Sequence, residues 1–177
     1  MNLKFNQPQR SFTLMEILIY VAVLAIIVLA VSAFLTWSIK SNAKAEAMRE
    51  VSDNARRVME IMSYEIKEAK SVYAPTSTST QLSLETSHYL PSGETLTYID
   101  FYLCGTASTT LCLKKESQDP IALTSDRVEV NNLEFIQIAT TTPSIQINLG
   151  INFKNPRDRP EYQSSINLTL TASLRSY

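Results

Sequence analysis

The chain has 177 residues, 45% of them hydrophobic and 19% charged, with 16 lysines and arginines against 17 aspartates and glutamates. Three glycines, where usage of about 7% would give around twelve, exclude glycine-rich phosphate loops. One histidine and two cysteines put the usual histidine and thiolate zinc sites out of reach, and a net charge of -1 makes no electrostatic case for nucleic acid.

These averages describe an ordinary soluble domain, and they conceal a strong asymmetry. Residues 17–39 carry no charge, and only Ser32, Thr36 and Ser38 interrupt the apolar run. As a helix these residues span about 35 Å, enough for a hydrocarbon core of about 30 Å. The run predicts a transmembrane helix. The segment before it holds only Lys4, Arg10 and Glu16 as charges, so the basic end should stay in the cytoplasm and the larger C-terminal part should be translocated. Val31, Ser32 and Ala33 would also make a tolerable signal peptidase site. Against that, the apolar run continues beyond it through Phe34, Leu35, Trp37 and Ile39, and Glu16 has no purpose in a disposable signal.

A carboxylate carried into the bilayer costs on the order of 2.5 to 3.5 kcal/mol, so Glu16 needs a partner or a water route. No basic side chain lies within a helical turn on its C-terminal side. The surrounding residues are Arg10-Ser11-Phe12-Thr13-Leu14-Met15-Glu16-Ile17-Leu18-Ile19. Here the chain closely resembles the type IV pilin and type II secretion pseudopilin family, in which a short basic leader precedes a cleavage site, a phenylalanine, Thr-Leu, a glutamate as fifth mature residue and about twenty apolar residues. The resemblance covers roughly the first 40 residues. It implies cleavage between Ser11 and Phe12, N-methylation of Phe12, and a prepilin peptidase/N-methyltransferase as processing partner. Ser11 is a departure, because the family's leader normally ends in glycine. Cleavage there creates an ammonium on Phe12, four residues from Glu16 and on the same helical face, able to neutralise Glu16 of its own chain or of a neighbour. The family implies the intermolecular pairing, with other pilin or pseudopilin subunits, an inner-membrane assembly platform and membrane lipid as further partners.

Residues 40–70 contain neither glycine nor proline, and Met48, Val51, Ala55, Val58, Met62, Ile66 and Ala69 recur at steps of three and four. The transmembrane helix should therefore continue as an amphipathic one, ending before Pro75. From residue 12 to 73 it would be about 93 Å long. Its other face, with Glu46, Glu50, Asp53, Arg56, Arg57, Glu60, Lys67 and Lys70, reads as solvated. Arg56-Arg57 lies downstream of the apolar run and is no twin-arginine signal.

Residues 75–177 are rich in serine and threonine. Thr76 to Thr80 reads as a linker. Strands are predicted over residues 81–86, 95–103, 111–116, 127–139, 144–153 and 164–174, several of them alternating apolar and polar, such as Ile145, Ile147, Leu149, Ile151 and Phe153. That period predicts an antiparallel sheet with one buried face, covered by the amphipathic helix stripe. Cys104 and Cys112 stand at the ends of two predicted strands, and outside the cytoplasm a disulfide between them is expected to pin a hairpin tip. His88 reads as a loop histidine, residues 154–161 as an exposed charged loop with subunit contact as the sharper alternative, and the Asn167-Leu168-Thr169 sequon as part of a strand.

The expected architecture is α+β: leader 1–11, transmembrane helix 12–39, amphipathic continuation 40–74, linker 75–80 and a β-rich head 81–177. The expected role is structural, with neither cofactor, metal nor catalytic residue. The segment from Arg57 to Ala69 before a strand-rich head, and the lack of a proline between Pro8 and Pro75, resemble minor subunits of the J-type pseudopilin and W-type minor pilin more than major ones. A signal-anchored protein that keeps its leader and a secreted domain cut after Ala33 are the competing fates.

Overall fold

The computed structural model describes residues 13–88, 90, 92–138, 143–155 and 157–175. The chain divides into two compact units, Met1–Asn42 and Ala43–Tyr177, and one helix, α1 (Leu14–Glu68), contributes to both. The leader 1–11 and Phe12 lie outside the described residues.

Within the first unit, the large apolar side chains from Leu14 to Ile39 are 49% to 83% exposed. The helix is long and apolar enough to cross a membrane, and could serve as an anchor. The hydroxyls that interrupt the run are satisfied along the helix itself. Ser32 Oγ donates to the Val28 carbonyl at 2.8 Å, and Thr36 Oγ1 to the Ser32 carbonyl at 2.9 Å. Each hydroxyl thus reaches a carbonyl one turn back and needs no water.

In the second unit, Val51, Ala55, Val58, Met62 and Ile66 of α1 are fully buried, as the three-and-four spacing requires. Met48 departs from the stripe: it is 43% exposed, and Ala47 is buried instead. The helix also ends earlier than residue 73. It stops at Glu68 because the next residues are taken by a sheet: β1 (Ser71–Val72) pairs antiparallel with β2 (Leu82–Thr86). The Lys70 N–H donates to the Glu85 carbonyl at 2.8 Å, and the Tyr73 N–H to the Ser83 carbonyl at 2.9 Å. Val72 and Tyr73 are strand formers, and Tyr73 packs its ring 4.7 Å from that of Tyr98.

The strands form two antiparallel sheets rather than one. The first runs β1-β2-β3-β4-β5, with β3 Thr97–Cys104, β4 Thr110–Lys115 and β5 Ile121–Ala122. The second runs β6-β7-β8, with β6 Val128–Ile138, β7 Ser144–Phe153 and β8 Ser165–Ser173. The two-residue strands β1 and β5 are too short to show a period. Between the sheets, the Val130 N–H donates to the Thr109 carbonyl and the Phe135 N–H to the Ser79 carbonyl, each at 2.8 Å. Both bonds tie down the free edge of β6. They also give the predicted linker a structural role, since Ser79 anchors one of them.

One core joins the α1 stripe to both sheets, through Leu82, Leu84, Ile99, Phe101 and Leu111 on one side and Ile145, Ile147, Leu149 and Ile151 on the other. Strand β6 reaches it only with help. Its buried residues, Val128, Val130, Leu133 and Phe135, include one step of three, which a strict period of two would turn outward. A bulge between Val130 and Asn132 absorbs the odd residue. Gly150 lies opposite, paired with Asn132, where an added β-carbon would come within 2.7 Å of Asn167 Oδ1 and closer still to Asn131 Oδ1.

Candidate functional site

At the N-terminal end of α1, Thr13 caps the helix. Its carbonyl accepts from the backbone N–H groups of Glu16 at 3.1 Å and Ile17 at 3.3 Å, and its Oγ1 accepts from the Glu16 N–H at 3.3 Å. Thr13-Leu14-Met15-Glu16 therefore has the spacing of a capping box, and the side-chain cap of an otherwise unpaired donor helps the helix begin at Leu14. Glu16 sits in the first turn, where a carboxylate is favoured by the helix dipole.

Glu16 also has a partner inside the helix. Tyr20 Oη donates to Glu16 Oε1 at 3.2 Å, four residues on and on the same face. A search for basic side chains alone misses this hydroxyl, although the spacing was readable. The bond lets a lone helix carry the carboxylate into an apolar setting with one acceptor oxygen occupied. Ser11 and Phe12, expected as the cleavage, methylation and charge-pairing residues, lie outside the described residues, so only the Glu16 half of that pair has a geometry.

Cys104 and Cys112 are joined by a disulfide, with a Cα–Cα distance of 5.9 Å, across the β3–β4 hairpin. His88 Nε2 stands 3.2 Å from Glu68 Oε2, which gives the loop histidine a carboxylate neighbour. Asn167 and Thr169 lie within β8. Among the described residues, no group of three or more histidine, cysteine, aspartate or glutamate side chains is placed to hold a metal ion.

Two of the helix charges read as solvated, the exposed Arg57 and the half-buried Glu50, also hold the β5–β6 connection. Arg57 Nη2 donates to the Leu123 carbonyl at 2.6 Å, and Ser125 Oγ donates to Glu50 Oε1 at 2.8 Å. Between them the buried Asn54 accepts from the Ser125 N–H at 2.9 Å and donates to the Glu50 carbonyl at 2.8 Å. Glu65 is buried as well, with Lys115 Nζ at 3.8 Å. Burial raises its pKa above the ordinary carboxylate range, and the Lys115 ammonium opposes that shift without cancelling it. Asn54 and Glu65 escape a reading of hydrophobic period, because each is a polar residue on the inward face.

Residues 6–32 match the family model described as the prokaryotic N-terminal methylation motif. The match runs from the basic segment through Glu16 into the apolar helix, and supports a type IV pilin-like chain with a prepilin-type N-terminus, a class of structural proteins. Comparisons with curated proteins and with solved structures find no match.

Proposed function

We propose that this chain is a minor pilin or pseudopilin subunit, cut between Ser11 and Phe12 by a prepilin peptidase, N-methylated on Phe12, and assembled through its N-terminal helix into a pilus-like filament or a secretion pseudopilus. The methylation-motif match over residues 6–32 carries this reading. The capped helix start and the exposed apolar surface support it. In the cytoplasmic membrane the subunit waits as a single-pass protein with its head outside the cytoplasm, and the Glu16–Tyr20 bond shelters the carboxylate during that wait. Cleavage then supplies a better partner, because the new Phe12 ammonium is a full charge and the Tyr20 hydroxyl is only a dipole. Pairing that ammonium with Glu16 of an adjacent subunit sets the stagger between helices, while apolar side chains that faced lipid come to face one another. The J-type or W-type assignment rests on the continuous helix before a strand-rich head, and gives the subunit a part in starting or capping assembly.

N-terminal sequencing and intact mass of the mature protein test the proposal. A chain starting at Phe12 and heavier by one methyl group is expected. A chain starting at Met1 identifies a retained signal anchor, one starting at Phe34 a conventional secreted domain, and either overturns the proposal.

A further inference from the structure

The second unit has a cleft of about 370 Å³ whose walls are unusually basic for a chain of net charge -1. Ala43 and Ala47 of α1 form one side. Arg127, Lys154, Arg157 and Arg159 project along the other, and Glu46 is the sole carboxylate of the lining. Glu46 does not neutralise the cleft. It lies 3.7 Å from Arg127 with both side chains mostly exposed, a surface pair of small worth that a stronger anion would displace. The nearby Asp158 carboxylate is engaged by Gln163 Nε2 at 3.0 Å. Phe153 and Tyr162 stack at the rim with ring centroids 5.7 Å apart and planes 17° from parallel.

We propose that this cleft binds the phosphate of an anionic phospholipid. Arginine forks match phosphate oxygens in geometry and charge, and the volume falls in the range of small-molecule sites. The amphipathic ring of Tyr162 is suited to the boundary between headgroup and hydrocarbon, and the stacked Phe153 ring holds it there. Chain connectivity selects lipid over a soluble anion. Ala43 follows Ile39, the last residue of the uncharged run, by four residues, which can carry the chain at most about 14 Å. Lys40 lies on that short stretch and Lys44 directly follows it, and both add to the positive charge next to the membrane. An unassembled subunit is then held by lipid phosphate as well as by its helix. This inference rests on residues 17–39 spanning a membrane, and is independent of cleavage and polymerisation.

The test uses the full chain in nanodiscs of phosphatidylcholine with and without phosphatidylglycerol, read by amide hydrogen exchange. Exchange at Lys154, Asn155, Arg157 and Arg159 is expected to slow in the anionic discs, by about fivefold for each cation engaged. The slowing should vanish in the triple variant Arg127→Glu, Arg157→Glu, Arg159→Glu, while β7 keeps its own protection as the control for folding. Arg159→Glu alone should remove part of it. Equal exchange in both discs, persistence in the triple variant, or the same slowing by soluble glycerol phosphate in neutral discs each overturns the lipid site. Fast exchange through residues 17–39 in either disc overturns the membrane reading and the site together; protected 17–39 with lipid-insensitive loop amides overturns the site alone.

Discussion

The Tyr20 hydroxyl donates to the Glu16 carboxylate at 3.2 Å, so the acid at the head of α1 is already hydrogen-bonded inside its own helix before any other chain approaches. This separates two roles that one residue could serve. A tyrosine can make the carboxylate tolerable in an apolar environment, but only a cation can make it adhesive.

Glu16→Leu should leave cleavage after Ser11 intact and exclude the subunit from filaments, whereas Tyr20→Phe should retain both. Immunoblots of membrane and sheared surface fractions compare the variants. Normal incorporation of Glu16→Leu would sink the charge-pairing mechanism, and loss of incorporation in Tyr20→Phe alone would move the essential contact to the phenol.

Asn54→Ala should destabilise the head by about 1 to 3 kcal/mol, because the Ser125 N–H loses its acceptor within a part-buried network. Denaturant unfolding of the purified protein measures it. A cost no larger than that of an exposed substitution such as Asp53→Ala would show that water replaces the side chain freely.

Glu65 makes stability depend on pH in a direction opposite to that of most carboxylates. Its folded pKa lies above the ordinary value of 4.5, so between the unfolded and folded values the native state holds the extra proton. Stability from this group is therefore fully present below 4.5 and is lost as pH rises through the raised value. Glu65→Gln should unfold at higher denaturant than the parent at neutral pH, with the gain shrinking as the solution is acidified below that point. A gain independent of pH would contradict the assignment.

Gly150→Ala should cost about 1 to 3 kcal/mol through overpacking, since its β-carbon would collide with Asn131 and Asn167 side chains across the bulge. Gly93→Ala offers a contrast. It has open space but a φ of +92°, so its cost of roughly 1 kcal/mol should be conformational. In thermal melts, adding Asn131→Ala should recover part of the Gly150→Ala loss and none of the Gly93→Ala loss.

The apolar run, the α1 stripe and the period-two strands were legible in the residues, because each is a local pattern whose physical consequence needs no partner to be known. The six longer strands fall within two residues of the ranges predicted for them, several of which were marked by alternation, and the N-terminal motif can be read in a single pass. Where the helix stops was a different kind of question. Residues 69–73 can continue a helix or join a strand, and Ser83 and Glu85, ten or more positions away, decide it by accepting their N–H groups. The division into two sheets, the inward turn of Asn54 and Glu65, and the use of Glu50 and Arg57 as ties to the β5–β6 connection also depend on partners distant in sequence. The site shows the same boundary. That Glu16 is an acid at the mouth of an apolar helix was determined by the sequence, while its hydrogen bond to Tyr20 required the turn of the helix to bring the two together. Composition and period report what each residue prefers; pairing reports which preference is satisfied, and only the folded chain supplies the pairs.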